Sequence, residues 1–105
     1  MSSNFDTYRL YYYTAPQYYW GALVDLMNKG TWAGRLMFIR EGFPIPANAP
    51  LGGVPVLNYP MNRFEDIMSI LRYEKPLYVI LNEANGIGHI ATSDEPVGEL
   101  EPAAA

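Results

Sequence analysis

The chain has 105 residues, no cysteine and a formal net charge of −4, which excludes a disulfide framework, a cysteine nucleophile and a cysteine metal site. Half of the residues are hydrophobic and 17% are charged, a composition typical of one globular domain and not of a disordered chain. Four of the eleven acidic residues lie at 94–101, so residues 1–93 hold seven, equal to the seven Lys and Arg. We therefore expect a neutral domain at 1–93 and an acidic, flexible tail at 94–105, with no electrostatic footprint for duplex nucleic acid.

The sequence predicts a cytoplasmic protein. The stretch MSSNFDTYRL has neither the basic region nor the apolar run of a signal peptide. Apolar runs elsewhere stay far below the roughly 20 residues that cross a bilayer. The absence of cysteine suits a reducing compartment.

The first forty residues admit two interpretations. In one, PQYYWGALVDLMNKG forms a helix at about 16–29, because Pro16 suits a first-turn position and Gly30 a C-terminal cap. The element order is then the ferredoxin-like β-α-β-β-α-β. In the other, the same residues form one arm of a β-hairpin, and Gly21 speaks for this because glycine costs about 1 kcal/mol inside a helix.

The hairpin is favoured because its turn sorts apolar side chains onto one face. With Asn28-Lys29-Gly30 as a three-residue turn, Leu26 pairs with Trp32, whereas a two-residue turn would bring Arg35 into the apolar row. A connection at 15–17 adds a third strand to that face. The face then comprises Tyr8, Leu10, Tyr12, Trp20, Ala22, Val24, Leu26, Leu36 and Phe38.

The rest of the chain predicts one helix and three strands. Residues 42–55, with four prolines and three glycines, indicate an irregular connection, and VPVLNY is expected to be an edge strand because of Pro55. NRFEDIMSILRY predicts a helix at 62–73, capped by Asn62, with an apolar stripe of Phe64, Ile67, Met68 and Leu71. LYVIL is typical of a strand buried on both faces, and an Asn-Gly turn should return the chain in IGHIAT.

These elements predict an α+β fold, an antiparallel sheet of five or six strands with the helix at 62–73 packed on one face. The opposite face would carry a continuous apolar and aromatic patch. Its members are Tyr11, Tyr13, Tyr19, Met37 and Ile39. Exposed patches of this kind mark interaction surfaces, and tyrosine suits them because it combines a large contact area with a polar end.

The charged residues of the same face offer a second candidate site. Asp25 is a diagonal neighbour of both Arg9 and Arg35 in the predicted register, so the trio could hold an anionic ligand, although such a trio is more often a solvated charge network that contributes little. The lone His89 has no partner at a recognisable spacing, and we expect neither a metal nor a cofactor.

We therefore expect a non-catalytic binding protein. Homodimerisation or docking to a partner protein through the tyrosine-rich face is the first hypothesis. The alternative is a small anionic ligand or single-stranded nucleic acid bound by Arg9, Arg35 and the outer tyrosines, but stacking sites for nucleic acid usually add a basic groove, and this face has only those two arginines.

Overall fold

The computed structural model describes residues 1–15 and 17–94, which form eight β-strands, one α-helix and one 3-10 turn. The strands are β1 (Ser2–Phe5), β2 (Thr7–Tyr12), β3 (Trp20–Asn28), β4 (Thr31–Ile39), β5 (Ala49–Leu51), β6 (Val54–Pro60), β7 (Leu77–Asn82) and β8 (Ile87–Thr92). The helix α1 (Phe64–Tyr73) follows the 3-10 turn at Met61–Arg63. The predicted α+β class, with one helix against largely antiparallel strands, is confirmed. Except for Asp94, the predicted tail at 94–105 lies outside the described residues.

Residues 20–39 form the favoured hairpin, so the ferredoxin-like alternative with a helix at 16–29 is wrong. β3 and β4 are joined by a two-residue turn at Lys29–Gly30, where φ is 51° and 81°, as hairpin turns of this type require. The predicted three-residue turn is therefore also wrong, since Asn28 pairs with Thr31. The pairs in the body of the hairpin are Ala22–Phe38, Val24–Leu36 and Leu26–Gly34. This register differs from the predicted one by two residues, and a shift of two keeps each side chain on its face.

Two bulges in the hairpin move both tryptophans to the opposite face from the one predicted. The register shifts between Leu26 and Met27 and again between Trp20 and Ala22. A bulge sets two residues opposite one and so reverses the alternation of side chains beyond it. Trp32 consequently pairs with Met27, and Trp20 pairs with Ile39.

β2 extends the sheet on the other side of β3, with the faces arranged as predicted. Its pairs are Tyr8–Leu26, Leu10–Val24 and Tyr12–Ala22, again two residues from the predicted register. Tyr8 is half-buried against the core. Leu10 and Tyr12 lie at the rim of the sheet and remain 40% and 63% exposed.

The opposite edge of this five-stranded sheet differs from the prediction. The strand order is β2-β3-β4-β6-β5, with β6 parallel to β4. β6 was expected at an edge, but β5, from the segment predicted to be irregular, pairs with it. Pro50 lies opposite Pro55, which is compatible with the ladder at a position where neither residue needs to donate a backbone N–H.

A second sheet, of three strands in the order β1-β7-β8, covers the apolar face of the first. In β7, Leu77, Val79 and Leu81 are buried, whereas Tyr78 and Ile80 are half-buried. The expectation of burial on both faces was thus wrong, because only one side of this sheet meets the core. The predicted return strand is confirmed as β8, reached through a turn in which Gly86 has a φ of 73°.

The helix α1 presents its predicted apolar stripe to the core. Ile67, Met68 and Leu71 are buried, and Phe64 packs edge-on against Phe38 with ring centroids 5.1 Å apart.

The prediction that Asn62 caps the helix is wrong. Asn62 lies within the 3-10 turn, Arg63 occupies the N-cap position of α1, and no side chain forms a capping hydrogen bond there. The 3-10 turn has already curled the chain before the α-helix begins, so Asn62 does not flank it.

The two sheets and the helix enclose one core, which includes Phe38, Leu26, Leu36, Leu57 and Val79. The sheets approach closely at Gly88 of β8, where an added Cβ would overlap the Cδ2 atom of Leu57 and lie 3.2 Å from its Cγ. Within the described ranges, no helix has the length and apolar character needed to span a lipid bilayer.

Candidate functional site

The outer face of the five-stranded sheet, meaning the side that faces away from α1 and the second sheet, brings the predicted site residues together. The register sets Arg9 opposite Asp25 and Tyr11 opposite Leu23. It also sets Asp25 opposite Arg35 and Leu23 opposite Met37. Side chains of directly opposite residues share a face, so β2, β3 and β4 each contribute to this surface.

Asp25 is the centre of a charged row across three strands. Its carboxylate oxygen Oδ1 accepts a hydrogen bond from Arg35 Nε at 2.8 Å and another from Trp32 Nε1 at 3.1 Å. The carboxylate and guanidinium are largely withdrawn from solvent, with side-chain exposures of 16% and 28%. The sequence predicted diagonal contacts within the trio, whereas the structure places the three residues directly opposite one another.

Trp32 completes this arrangement, although its position was predicted on the other face. The guanidinium carbon of Arg35 lies 5.1 Å from the centre of its ring, a distance at which a cation is attracted to the aromatic face. Together with Met27 and Arg9, these residues line a shallow concavity of about 200 Å³. Trp32 faces this way because of the bulge near Met27, and a regular alternation pattern carries no signal of that bulge.

Arg9 is the available cation of the site. Its side chain is exposed, and it forms no hydrogen bond or ion pair with the described residues, whereas Arg35 is held by Asp25. Two guanidinium groups and one carboxylate leave one net positive charge in the concavity. The arrangement can therefore accept an anionic oxygen group, with Arg35 already oriented and Arg9 free to close on the ligand.

An aromatic cluster lies at the end of the sheet, separated from the charged row by the row of Tyr11, Leu23 and Met37. Tyr18 stacks on Trp20 with ring centroids 4.8 Å apart and an interplanar angle of 11°, and Tyr13 and Tyr19 contact the same indole edge-on at 6.1 and 4.8 Å. The indole N–H of Trp20 is buried and has no acceptor among the described residues. These rings pack on one another and form a preassembled surface.

The predicted patch is therefore only partly available. Tyr11 and Tyr19 are exposed at 42% and 38%, and Tyr13 and Met37 are half-buried. Ile39 is 1% exposed, so its predicted place on an interaction surface is wrong. Its cross-strand partner is Trp20, which the second bulge brings onto this face.

Two further titratable side chains, His89 and Tyr59, lie outside the charged row. Residues 1–15 and 17–94 contain no group of three or more His, Asp or Glu placed to hold a metal ion, and His89 is exposed on β8 in the other sheet. Burial raises the pKa of the Tyr59 hydroxyl above its ordinary 10.0, while the charge of Arg63 opposes part of the rise. Tyr59 stacks on Phe38 in the core, where a neutral phenol is the favoured form.

Comparisons with protein-family models, curated proteins and solved structures found no match to this chain.

Proposed function

We propose that this protein is a non-catalytic binding protein whose outer face docks a partner protein, with a carboxylate of that partner held between Arg9 and Arg35. The observation that carries the proposal is the unpaired Arg9 beside an Arg35 that Asp25 and Trp32 hold in place. The cytoplasmic location expected from the sequence belongs to the same proposal.

The charge balance of the concavity supports an anionic ligand group. Asp25 lies opposite both arginines, but its bonded oxygen is committed to Arg35 and Trp32. A second carboxylate would neutralise Arg9 and could accept from the remaining N–H groups of Arg35, whose planar donor fork matches a carboxylate. Because Arg35 is already fixed, little side-chain entropy is lost when it binds.

The surrounding surface supports a protein as the carrier of that carboxylate. Tyr11 is two residues from Arg9 on the same strand face, and Tyr18 and Tyr19 are also exposed. Tyrosine, tryptophan and arginine are the residues enriched in the energetically important parts of protein interfaces. An acidic side chain on a partner could enter the concavity while neighbouring residues contact these rings.

The geometry speaks against the nucleic-acid alternative. Stacking a base requires a free aromatic face. Tyr18 already lies parallel to Trp20 at 4.8 Å, and Tyr13 and Tyr19 contact the same indole, so Tyr11 is the one outer tyrosine without a ring contact among the described residues. The concavity of about 200 Å³ is also smaller than the roughly 300–1,000 Å³ of typical small-molecule pockets. It fits a single carboxylate or phosphate group better than a whole nucleotide.

Fluorescence of Trp32 gives a direct test. The chain has two tryptophans, so Trp20→Phe leaves Trp32 as the single reporter inside the site. We expect a tetraglutamate peptide to change its emission in a saturable way and a tetralysine peptide to have no effect. Arg9→Gln should weaken the response about tenfold, the equivalent of about 1.4 kcal/mol for one charge-assisted contact.

Arg72→Gln is the matched control, because Arg72 is also exposed but lies in α1. A tetraglutamate response that Arg9→Gln and Arg72→Gln weaken equally would refute a specific site. A response to inorganic phosphate or oligothymidine but not to tetraglutamate would instead assign the site to a small anion or to nucleic acid.

A further inference from the structure

β2 is one of the two edge strands of the five-stranded sheet, and it is the longer one. β2 pairs with β3 on one side, and no described strand pairs with its other side. Its sequence TYRLYY contains no proline or lysine, residues that commonly block pairing at exposed edges, and Arg9 is its one charged residue. Leu10, Tyr11 and Tyr12 are all exposed, so apolar side chains flank unpaired backbone groups.

The direction of the backbone groups follows from the ladder with β3. The amide of Tyr13 donates to the carbonyl of Gly21 at 2.9 Å. Successive residues of a strand direct their N–H and C=O groups to opposite sides. The N–H and C=O groups of Tyr8, Leu10 and Tyr12 therefore point towards the free edge.

We propose that two copies of this chain pair antiparallel through β2, about a two-fold axis at Leu10, so that the two five-stranded sheets join into one. Leu10 then pairs with Leu10 of the second copy, and Tyr8 pairs with Tyr12. The two-fold axis also pairs Tyr12 with Tyr8 of the second copy, and the three pairs provide about six backbone hydrogen bonds. An interface of this kind is self-complementary, as a two-fold dimer requires.

The side chains select this register among those that preserve the faces. Pairing centred on Arg9 would set two arginines directly opposite each other, which is unfavourable. Pairing centred on Leu10 sets Arg9 opposite Tyr11, where a guanidinium can lie on an aromatic ring. On the inner face, it sets leucine against leucine and tyrosine against tyrosine.

The other edges of the two sheets are poorer templates. β5 has three residues, one of which is Pro50, and β1 has four residues. β8 has six residues but includes Gly88, and glycine weakens strand pairing. The sequence predicted homodimerisation through the outer face, and the inferred dimer instead uses the edge. Asp25, Trp32 and Arg35 then stay accessible, while Arg9 borders the interface.

Light scattering coupled to size-exclusion chromatography tests the inference. Wild type should elute at twice the 11.8 kDa of the chain. Leu10→Lys and Leu10→Glu should each be monomeric, because each sets two like charges opposite one another at the axis. An equimolar mixture of the two should restore a dimer, because the Lys and Glu side chains then pair.

Ile87→Lys is the matched control, since Ile87 is an exposed apolar residue on the edge strand β8. A wild-type monomer at high micromolar concentration overturns the inference, as does a dimer that survives Leu10→Lys or is lost in Ile87→Lys. Amide hydrogen exchange on the wild-type protein tests the pairing even if a Leu10 variant does not fold. Protection of the Tyr8, Leu10 and Tyr12 amides should rise with protein concentration, and unchanged protection refutes the pairing. These outcomes are read as molecular mass and amide protection, whereas the tetraglutamate titration is read as Trp32 emission, so failure of the dimer and failure of the proposed function are distinguishable.

Discussion

Substitution of Gly88 by alanine tests the packing of the two sheets. The new Cβ would overlap Leu57 Cδ2 and lie 3.2 Å from both Cγ and Cδ1 of the same side chain. Carbon atoms in contact are normally about 3.5–4.0 Å apart, so Leu57 must move. With 1% of its surface exposed, Leu57 has little space to move into. We expect Gly88→Ala to cost about 1–3 kcal/mol, the usual range for overpacking.

A double-mutant cycle with Leu57→Ala isolates this contact. Leu57→Ala alone should cost about 2–5 kcal/mol because it leaves a cavity. In the double variant, the alanine at 88 partly fills that cavity, so the combined cost should fall below the sum by about 1 kcal/mol or more. Urea unfolding followed by circular dichroism measures all four proteins. Neutral behaviour of Gly88→Ala, or additive costs, would show that β8 does not approach β6 in this way.

Two further predictions concern aromatic residues. Trp32→Phe should lower the free energy of unfolding by about 1 kcal/mol more than Trp20→Phe does, because it removes the hydrogen bond to Asp25. The Trp20 indole N–H has no acceptor among the described residues, so Trp20→Phe removes no such bond. Equal costs in urea unfolding would contradict this prediction. Tyr59 has a raised pKa in the folded state, so its contribution to stability is complete below pH 10 and is lost as the pH rises towards the folded-state pKa. Tyr59→Phe should therefore reduce the fall in stability as the pH rises above 10. An undiminished fall in that variant would refute the assigned cause.

The two faces of the five-stranded sheet could be predicted from the sequence, whereas the register of its strands could not. Tyr8, Val24, Leu26 and Leu36 lie on the predicted side because a shift of two residues preserves alternation. The charged trio was predicted for the same reason, because a shift of two residues keeps Arg9, Asp25 and Arg35 on one face of the sheet. The helix stripe was also predictable, because four apolar residues at helical spacing define a single side.

The missed features are those that break a regular pattern. The bulges beside Trp20 and Trp32 reverse the alternation, and apolar residues on both faces of β3 and β4 hide this change of phase in the sequence. Consequently Trp32 was absent from the predicted site, and Ile39 was wrongly assigned to its surface. The second sheet was missed because β1, with the sequence SSNF, is short and mostly polar, and its pairing partner is distant in the sequence.

The pairing of β1 with β7 also sets an order for folding. Ser2 pairs with Ile80, so this ladder closes a loop of nearly the whole described chain, whereas β3 and β4 are joined by two residues. The entropic cost of closing a loop grows with its length, and long-range pairings form slowly. The β3–β4 hairpin can therefore form first. β1 can pair with β7 only after α1 and the β7–β8 hairpin have packed against the five-stranded sheet. Only Asp6 separates β1 from β2. β1 therefore stays beside the edge of the five-stranded sheet until β7 is in place, and it then pairs with β7 to complete the second sheet.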